Sequence, residues 1–580
     1  MGTSDGTSKT GMTRKQFLTG AAATSVLAAG WPGSRDGAAR AAVSRRKRPN
    51  ILLIMTDQER SGISLPDSLS LPGHDKLKER GVSLRNFVVT TTPCSPSRSV
   101  FYTGQHTKLT RILSNPGSPA WEALPHTVPT VGHMLRELGY YTAYKGKWHL
   151  SKVKVRASTD LAPYPSTANA LEPYGFADYT LTGDPLGDPW SGFRDDRVTA
   201  SEAVQWLRDA NSKGDEARTW FLAVNFVNPH DVMFFKSGRR QDDTRLVKDL
   251  LRPLRPAPVG WPYDDDLGYD LPQSYYKTDP ATRPWAHRAF ARRNSYIFGE
   301  MTQGRDEDAW RRLQNYYFNC IRDVDRYVDR IVTAMAENGQ MEDTVIIYTS
   351  DHGEMAGAQG LTQKGPVAYK ENIGVPFIIC HPDGKKGEET RGLGTAVDLA
   401  PTLLEIAGLS PDQIRDKFPQ LHGVSLAPLA FDGKVSTPRD DRGALLYFGV
   451  TNWFDPEFLR RKLLQGRDPA SSPEGQPSRP SLDNPALFRA IIHGGYKFVR
   501  YFKPSEHHTP QNWQMLLRHN ELELYDMEQD PDELTNLAQK PETYKQLILG
   551  LNDRLNAAIA EEIGADDGSE FPGSPHLYQL

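Results

Sequence analysis

One cysteine, Cys94, lies in a stretch whose composition suits chemistry better than packing. The stretch TTTPCSPSRSVFYTG, residues 90–104, surrounds it with threonine, serine and proline and places Arg98 four residues later. The chain has only three cysteines. Cys320 recurs with apolar residues at helical spacing and Cys380 ends the apolar run VPFIIC, so both are predicted to be packed in the core. Cys94 is therefore predicted to be reactive or modified, and a free surface cysteine is the alternative.

Polar residues follow four apolar runs that have the length and composition of buried strands. These runs are PNILLIMTDQ, YYTAYKGKWHL, TWFLAVNFVNPHD and DTVIIYTSDHGEM. Such runs, alternating with helices, indicate a mostly parallel sheet covered on both faces. Sites in these sheets gather beyond the carboxyl ends of the strands. The candidate site residues at those ends are Asp57, Gln58, Lys147, His149, His230, Asp351 and His352.

Lys147 and His149 are expected to act together. We place both on the strand that precedes them, where alternate side chains face the same side of the sheet. Lys364, in LTQKG, is a further candidate cation, for which a solvent-exposed loop lysine is the alternative.

The chain is predicted to be an α/β protein with two folded parts. Residues 43–440 would form the main domain, and residues 441–580 a smaller α+β domain with its own sheet and a closing amphipathic helix. Residues 233–300 are rich in Arg, Asp and Pro and are predicted to be a long loop that walls the pocket. Residues 455–485 are predicted to be a mobile surface loop.

The first 42 residues are predicted to be an export signal. They combine a basic start with an alanine-rich apolar stretch and small residues at Ala39 and Ala41. The segment TRKQFL resembles a twin-arginine signal in which Arg14 is kept and Lys15 replaces the second arginine. We therefore expect a periplasmic or secreted protein, with a disordered basic leader as the alternative. No apolar run after residue 50 is long enough to span a bilayer.

Five segments together carry a family resemblance. CSPSRSVFYTG resembles the sulfatase signature, Cys-x-Pro-x-Arg followed by a Thr-Gly pair, and the family segments that accompany it are GKWHL, SDHGE, VDLAPTLLEIAG and LYDMEQDPDELTNLA. The resemblance implies an alkaline-phosphatase-like fold, in which a large, mostly parallel sheet lies between helices beside a smaller C-terminal α+β domain with an antiparallel sheet. It also implies hydrolysis of sulfate monoesters.

The resemblance gives each candidate a role. Cys94 would be oxidised to formylglycine by a formylglycine-generating enzyme, and Arg98 would steady the product. The formylglycine hydrate offers one hydroxyl to attack sulfur and a second to expel the sulfate. His149 would assist formylglycine, Lys147 would bind sulfate oxygens, and His230 with Lys364 would protonate the leaving alcohol.

The resemblance also implies one divalent metal ion. Its ligands would be Asp57, Gln58, Asp351, His352 and the residue formed from Cys94. Oxygen-rich ligands favour calcium. Gln58 stands where many sulfatases have a second aspartate, and the lost charge lets manganese or zinc compete.

Three functions remain open at this stage. The first is a sulfuric ester hydrolase of arylsulfatase type, acting on a small-molecule or carbohydrate sulfate ester. The second is a phosphonate monoester or phosphodiester hydrolase, favoured by the Asp57–Gln58 and Asp351–His352 pairs, which resemble the choline-sulfatase and phosphonate monoester hydrolase branch. The third is an inactive sulfatase-like binding protein. The net charge of −3 gives no indication of nucleic-acid binding.

Overall fold

A seven-stranded sheet forms the centre of the protein, as the apolar runs predict. The computed structural model describes residues 48–116, 122–153, 170–179, 184–212, 218–246, 253–432, 436–450, 454–465 and 480–571. The strands of the large sheet are β1 (Asn50–Asp57), β2 (Val82–Val88), β3 (Tyr141–Gly146), β4 (Trp220–Pro229), β5 (Thr344–Ser350), β6 (Phe377–Cys380) and β7 (Glu388–Thr395), in the order β3-β4-β1-β5-β6-β2-β7. Only β6 runs antiparallel to its neighbours, so the sheet is mixed and mostly parallel.

Helices cover both faces of this sheet. The longer helices of the described ranges, whichever sheet they pack against, are α1 (Pro72–Arg80), α2 (Cys94–Thr103), α5 (Ser191–Ser212), α8 (Trp285–Phe298), α9 (Glu307–Glu337), α11 (Leu399–Ile406), α14 (Pro456–Gln465) and α16 (Lys545–Glu562). The shorter ones are α3 (Thr107–Thr110), α4 (Val131–Glu137), α6 (Arg239–Thr244), α7 (Gln273–Lys277), α10 (Lys370–Ile373), α12 (Pro411–Lys417), α13 (Pro438–Arg442) and α15 (Trp513–His519). Cys320 is buried on α9 and Cys380 is buried at the end of β6, as predicted.

The central strand β1 shows why the sequence pattern is continuous rather than alternating. β1 pairs in parallel with β4 on one side and with β5 on the other. Leu52 and Ile54 pack in the cluster that includes α9, whereas Leu53 and Met55 pack in the cluster on the opposite face. Because both faces are buried, both sets of alternating side chains must be apolar. The carboxyl ends of β1, β4 and β5 consequently meet at one edge.

A second, antiparallel sheet follows, as expected for the C-terminal part. Its strands are β8 (Ala444–Phe448), β9 (Leu487–His493), β10 (Tyr496–Phe502) and β11 (Glu521–Asp526), in the order β11-β10-β9-β8. The closing helix α16 packs its apolar residues, among them Ile548 and Leu555, against this sheet. The described residues from Arg48 onward form one compact unit, and a boundary between two domains near residue 440 stays a prediction.

Two predicted loops contain helices instead. Residues 233–300 include α6, α7 and α8, and α8 buries Ala286, Ala289 and Phe290 despite its arginines. The prediction was wrong because the arginines lie on one face of an amphipathic helix whose other face is apolar. Likewise α14 begins at Pro456 within the predicted loop 455–485, and Leu459 joins an apolar cluster with α8.

The predicted export signal, residues 1–42, lies outside the described residues. Within the described ranges, no helix combines the length and the apolar character needed to cross a membrane.

Candidate active site

Two carboxylates define the centre of the site. Asp57 is the last residue of β1, and Asp351 directly follows β5, the neighbouring parallel strand. The Asp351 backbone N–H donates to the Thr56 carbonyl at 3.2 Å, which keeps the two strand ends together. Both side chains are fully buried. As the sequence predicted, adjacent parallel strands therefore place these two acids side by side.

Cys94 and His352 complete a compact group with the two carboxylates. Cys94 is the first residue of α2 and is fully buried. Its Sγ atom lies 3.2 Å from Nε2 of His352 and 3.6 Å from Oδ1 of Asp57. One ligand atom from each of Cys94, Asp57, Asp351 and His352 lies within 4.8 Å of the others. This group has the composition and spacing of a metal site built beside a nucleophile.

Arg98 binds the outer side of both carboxylates. It lies one turn after Cys94 on α2, and its Nε atom donates to Oδ2 of Asp351 at 2.8 Å. Its Nη2 atom lies 3.5 Å from Oδ2 of Asp57, and Nη1 donates to the Lys147 carbonyl at 2.9 Å. Burial alone would lower the pKa of Arg98, but Asp351 and Asp57 raise it above its usual value. Arg98 thus ties helix α2 to the strand ends.

Lys147 forms a buried ion pair with Asp57. Its Nζ atom lies 2.6 Å from Oδ2 of Asp57, and both side chains are fully buried. Burial by itself raises the pKa of Asp57, but the charges of Lys147 and Arg98 hold it well below its usual value. Asp57 is consequently ionised, with Oδ2 paired to cations and Oδ1 facing Cys94.

His149 lies beside this group, but not on a strand. β3 ends at Gly146, which has φ +88°, and Lys147 and His149 follow the strand end. The prediction that both alternate on the strand was wrong, because a glycine in the left-handed region turns the chain there. His149 itself has φ +61°. Burial and the charge of Lys147 lower the pKa of its imidazole well below the usual value.

His230 and Lys364 line the same site from two other segments. His230 directly follows β4 and is 3% exposed, and Lys364 is 4% exposed. The solvent-exposed alternative for Lys364 is therefore wrong. Burial first, and then the charges of Lys364 and Lys147, lower the pKa of His230 well below its usual value. Helix α8 supports the Lys364 loop, since Asn294 donates to the Thr362 carbonyl at 3.1 Å.

Gln58 links the Lys364 loop to the acidic centre. Its backbone N–H donates to Oδ1 of Asp351 at 3.1 Å. Its side-chain oxygen accepts a hydrogen bond from Lys364, and its side-chain nitrogen donates to Glu354. The amide of Gln58 is thus engaged by these two side chains, whereas the sequence analysis assigned it to the metal.

Three residues of the site were missed by the sequence analysis. Asn225 accepts hydrogen bonds from Arg98 at 3.2 Å and from Tyr102 at 2.8 Å. Its signal was visible, because Asn225 is the first polar residue inside an otherwise apolar strand. Glu354 stands in the SDHGE segment. Asp184 accepts from the backbone N–H groups of Trp148 and His149, and no sequence pattern indicated it.

Comparison with known proteins agrees with this fold. The superposed structure of a phosphonate monoester hydrolase of Agrobacterium radiobacter has a TM-score of 0.59 at 21% identity, with 89% of this chain and 96% of that chain covered. That similarity shows the alkaline-phosphatase-like fold. The family model described as Sulfatase matches residues 49–409. The chain therefore belongs to the sulfatase family of hydrolases.

Two sequence relatives extend the comparison over most of the chain. An arylsulfatase of Volvox carteri is 26% identical over 547 residues, covering 90% of this chain and 76% of the relative. A choline-sulfatase of Rhizobium meliloti (strain 1021) is 26% identical over 514 residues, covering 85% of this chain and 83% of the relative.

Proposed function

We propose that this protein hydrolyses sulfate monoesters with a formylglycine made from Cys94 and one divalent metal ion. The observation that carries the proposal is the buried group of Cys94, Asp57, Asp351 and His352, whose ligand atoms lie within 4.8 Å of one another. A nucleophile beside a metal site suits the attack on an anionic ester, which must first be neutralised.

The donor set fits a divalent ion. Arg98 and Lys147 pair with the Oδ2 atoms of the two carboxylates, which leaves both Oδ1 atoms facing His352. The Nε2 atom of His352 lies 3.8 Å from Oδ1 of Asp57 and 3.6 Å from Oδ1 of Asp351. Asp57, Asp351 and His352 would hold the ion, and Gln58 remains a candidate ligand. A bound ion would supply Lewis-acid charge stabilisation at the ester oxygens.

Calcium is the ion that we propose first, with manganese and zinc as rivals. Two carboxylates are oxygen donors of the kind that calcium prefers. His352 contributes a nitrogen, and Gln58 lacks the charge of an aspartate. Both features make the site less hard and let manganese or zinc compete.

The position of Cys94 fits a residue that is modified before folding is complete. Its side chain is fully buried among polar groups, so an enzyme could not reach it in the folded protein. We propose that a formylglycine-generating enzyme acts on the unfolded segment, guided by Pro96 and Arg98. The hydrated aldehyde would supply one hydroxyl for attack on sulfur and a second for release of sulfate.

Positive charge around residue 94 suits a sulfate group. Lys147 and Arg98 lie next to the carboxylates, and Lys364 adds a third buried cation. Residue 94 also begins helix α2, and the N-terminus of a ten-residue helix favours anions. We assign sulfate binding to Lys147, positioning of residue 94 to Arg98, and assistance to residue 94 to His149.

His230 and Lys364 are proposed to serve the leaving oxygen. The pKa of His230 is low because of burial and of the charges of Lys364 and Lys147. A bound anionic ester would oppose both cations and raise that pKa. The pair would then hold and protonate the departing alcohol.

A phosphonate monoester or phosphodiester hydrolase is the second candidate. The Asp57–Gln58 and Asp351–His352 pairs favour it, because they resemble the pairs of the choline-sulfatase and phosphonate monoester hydrolase branch. An inactive binding protein is disfavoured, because every position of the proposed machinery carries a competent side chain. Export through a twin-arginine signal also remains part of the proposal.

Turnover rates on three substrates test the reaction class. We would compare nitrophenyl sulfate, an aryl phosphonate monoester and an aryl phosphodiester, using protein from a host that makes formylglycine. Sulfatase activity predicts the highest kcat/KM on the sulfate and its loss in Cys94→Ala. A higher kcat/KM on either phosphorus ester would transfer the proposal to the second candidate, and no turnover of any ester would favour a binding protein.

A further inference from the structure

The segment that precedes helix α5 touches both histidines of the site. Its first described residue, Asp184, accepts the Trp148 backbone N–H on Oδ1 at 2.9 Å and the His149 backbone N–H on Oδ2 at 2.6 Å. Three residues later, Gly187 lies against His230. A Cβ atom built on Gly187 would lie 2.4 Å from Cε1 and 2.5 Å from Nδ1 of the imidazole.

The backbone of His149 is held from both sides. Its N–H donates to Asp184, and its carbonyl accepts the hydroxyl of Ser95 at 2.5 Å. Ser95 directly follows Cys94. Because φ of His149 is +61°, a strained conformation for a residue other than glycine, outside contacts must maintain it. Asp184 supplies one such contact.

The ring of His230 is held by close packing against the backbone of Gly187. Within the described residues, its Nδ1 atom has no hydrogen-bond partner, so no hydrogen bond at that atom fixes the ring. Gly187 has φ +90° and no side chain, which lets the imidazole edge pack directly on its backbone. A methyl group at this position would displace the ring.

We propose that Asp184 and Gly187 are positioning residues of the active site, Asp184 for His149 and Gly187 for His230. The proposal rests on the roles given above to the two histidines. One short segment thereby positions both His149, which lies beside residue 94, and His230, which serves the leaving oxygen.

Gly187→Ala tests the contact with His230. The loss of kcat/KM in this variant should be about tenfold or more greater on an alkyl sulfate than on nitrophenyl sulfate. Nitrophenol is a good leaving group and needs no proton. In a His230→Ala background the same substitution should cost little further, since its effect passes through the ring.

Gly139→Ala is the matched control. Gly139 has φ +88°, nearly that of Gly187, but nothing lies within 4 Å of the Cβ position. It should therefore report the cost of an alanine in the left-handed region alone, with activity unchanged on both esters. Equal losses on both esters for Gly187→Ala, or a full loss in the His230→Ala background, would overturn the assignment of Gly187.

Asp184→Ala and Asp184→Asn test the contact with His149. Asparagine has only one side-chain oxygen acceptor, so it satisfies fewer of the two N–H groups. We expect kcat losses of about tenfold or more for alanine and smaller losses for asparagine, the same on both esters. Either substitution should cost little in a His149→Ala background.

Asp530→Asn is the control for the Asp184 variants, because it also removes a carboxylate that accepts hydrogen bonds from two backbone N–H groups. Asp530 accepts from the backbone N–H groups of Leu534 and Thr535, and activity should not change. Undiminished losses for the Asp184 variants in the His149→Ala background would overturn the assignment of Asp184, because they would show that it does not act through His149. Melting temperatures of all variants identify any that do not fold. If Asp184→Ala does not fold, Asp184→Asn is used for the test in its place.

The parent histidine variants separate this inference from the proposed function. If His230→Ala itself shows equal losses on the two esters, the role of His230 is wrong. If His230→Ala behaves as proposed but Gly187→Ala does not, only the positioning inference fails.

Discussion

The thiol of Cys94 lies 3.2 Å from Nε2 of His352, although 258 residues separate them in the sequence. The contact joins the start of helix α2 to the residue after Asp351 at the end of β5. Oδ1 of Asp57 lies 3.6 Å from the same sulfur. Once the chain has folded, a modified residue 94 would therefore lie next to the proposed metal ligands, without a rearrangement of the main chain.

The first prediction concerns the chemical state of residue 94. Intact peptide mass spectrometry of active protein should show the aldehyde or its hydrate at Cys94. Cys94→Ala should abolish turnover, and Cys94→Ser should leave very little, because a single hydroxyl lacks the second group that releases sulfate. A fully active protein with only the thiol would sink this proposal.

The second prediction concerns the metal. Chelation should abolish activity, because Asp57, Asp351 and His352 would lose the ion that neutralises the ester. Added calcium or manganese should restore it, and elemental analysis should give about one ion per chain. Asp351→Asn should weaken the binding of the ion, since a ligand charge is lost. Full activity in protein shown to be free of metal would contradict the prediction.

The third prediction concerns Gln58. Gln58→Glu should raise KM for the sulfate ester by about tenfold, because a carboxylate paired with Lys364 would cancel charge that faces the substrate. Gln205→Glu adds the same charge on the exposed part of α5 and should change nothing. Unchanged KM with tighter metal binding would instead show that Gln58 faces the metal, as the sequence analysis expected.

The parallel sheet explains why much of the site was predictable. Asp57 and Asp351 follow continuous apolar runs, and neighbouring parallel strands must bring such ends together. Cys94 was identifiable because its neighbours Pro96 and Arg98 form a short local pattern. These inferences needed only the carboxyl ends of the predicted strands and the local sequence.

The remaining parts of the site depend on loops and on packing. Gly146 ends β3 before Lys147, and nothing in TAYKGKWHL distinguishes that glycine from one inside a strand. Lys364 is buried because α8 packs beside its loop, and α8 was taken for a loop itself. Asp184 bonds backbone groups 35 and 36 residues away, a relationship that composition does not encode.

The fourth prediction concerns stability at alkaline pH. His74 lies between Glu59 and Asp325, at 2.8 and 2.5 Å. Burial alone lowers its pKa, but Glu59 and Asp325 outweigh burial and raise it from 6.5 to about 10. A raised pKa in the folded state contributes stability that is full below pH 6.5 and is lost as the pH rises to 10.

Urea unfolding of wild type and His74→Gln at pH 6 and pH 10 checks this prediction. The difference in unfolding free energy between the two proteins should shrink by up to about 5 kcal/mol over that range, since each pKa unit corresponds to about 1.4 kcal/mol. His126→Gln, at an exposed position, should leave the pH dependence unchanged. A difference that stays constant would show that His74 is neutral in the folded protein.

The last prediction concerns the leaving oxygen. If His230 and Lys364 protonate the departing alcohol, they matter most when that alcohol is a poor leaving group. His230→Ala should therefore slow an alkyl sulfate about a hundredfold more than nitrophenyl sulfate, whose leaving group hardly needs a proton. Lys364→Met should show the same preference with an added rise in KM, because it removes a buried charge near the ester. His149→Ala should slow both esters equally, since its proposed role concerns residue 94. Equal losses on the two esters for His230→Ala would mean that the proton comes from another group, with Lys364 the first to be tested in its place.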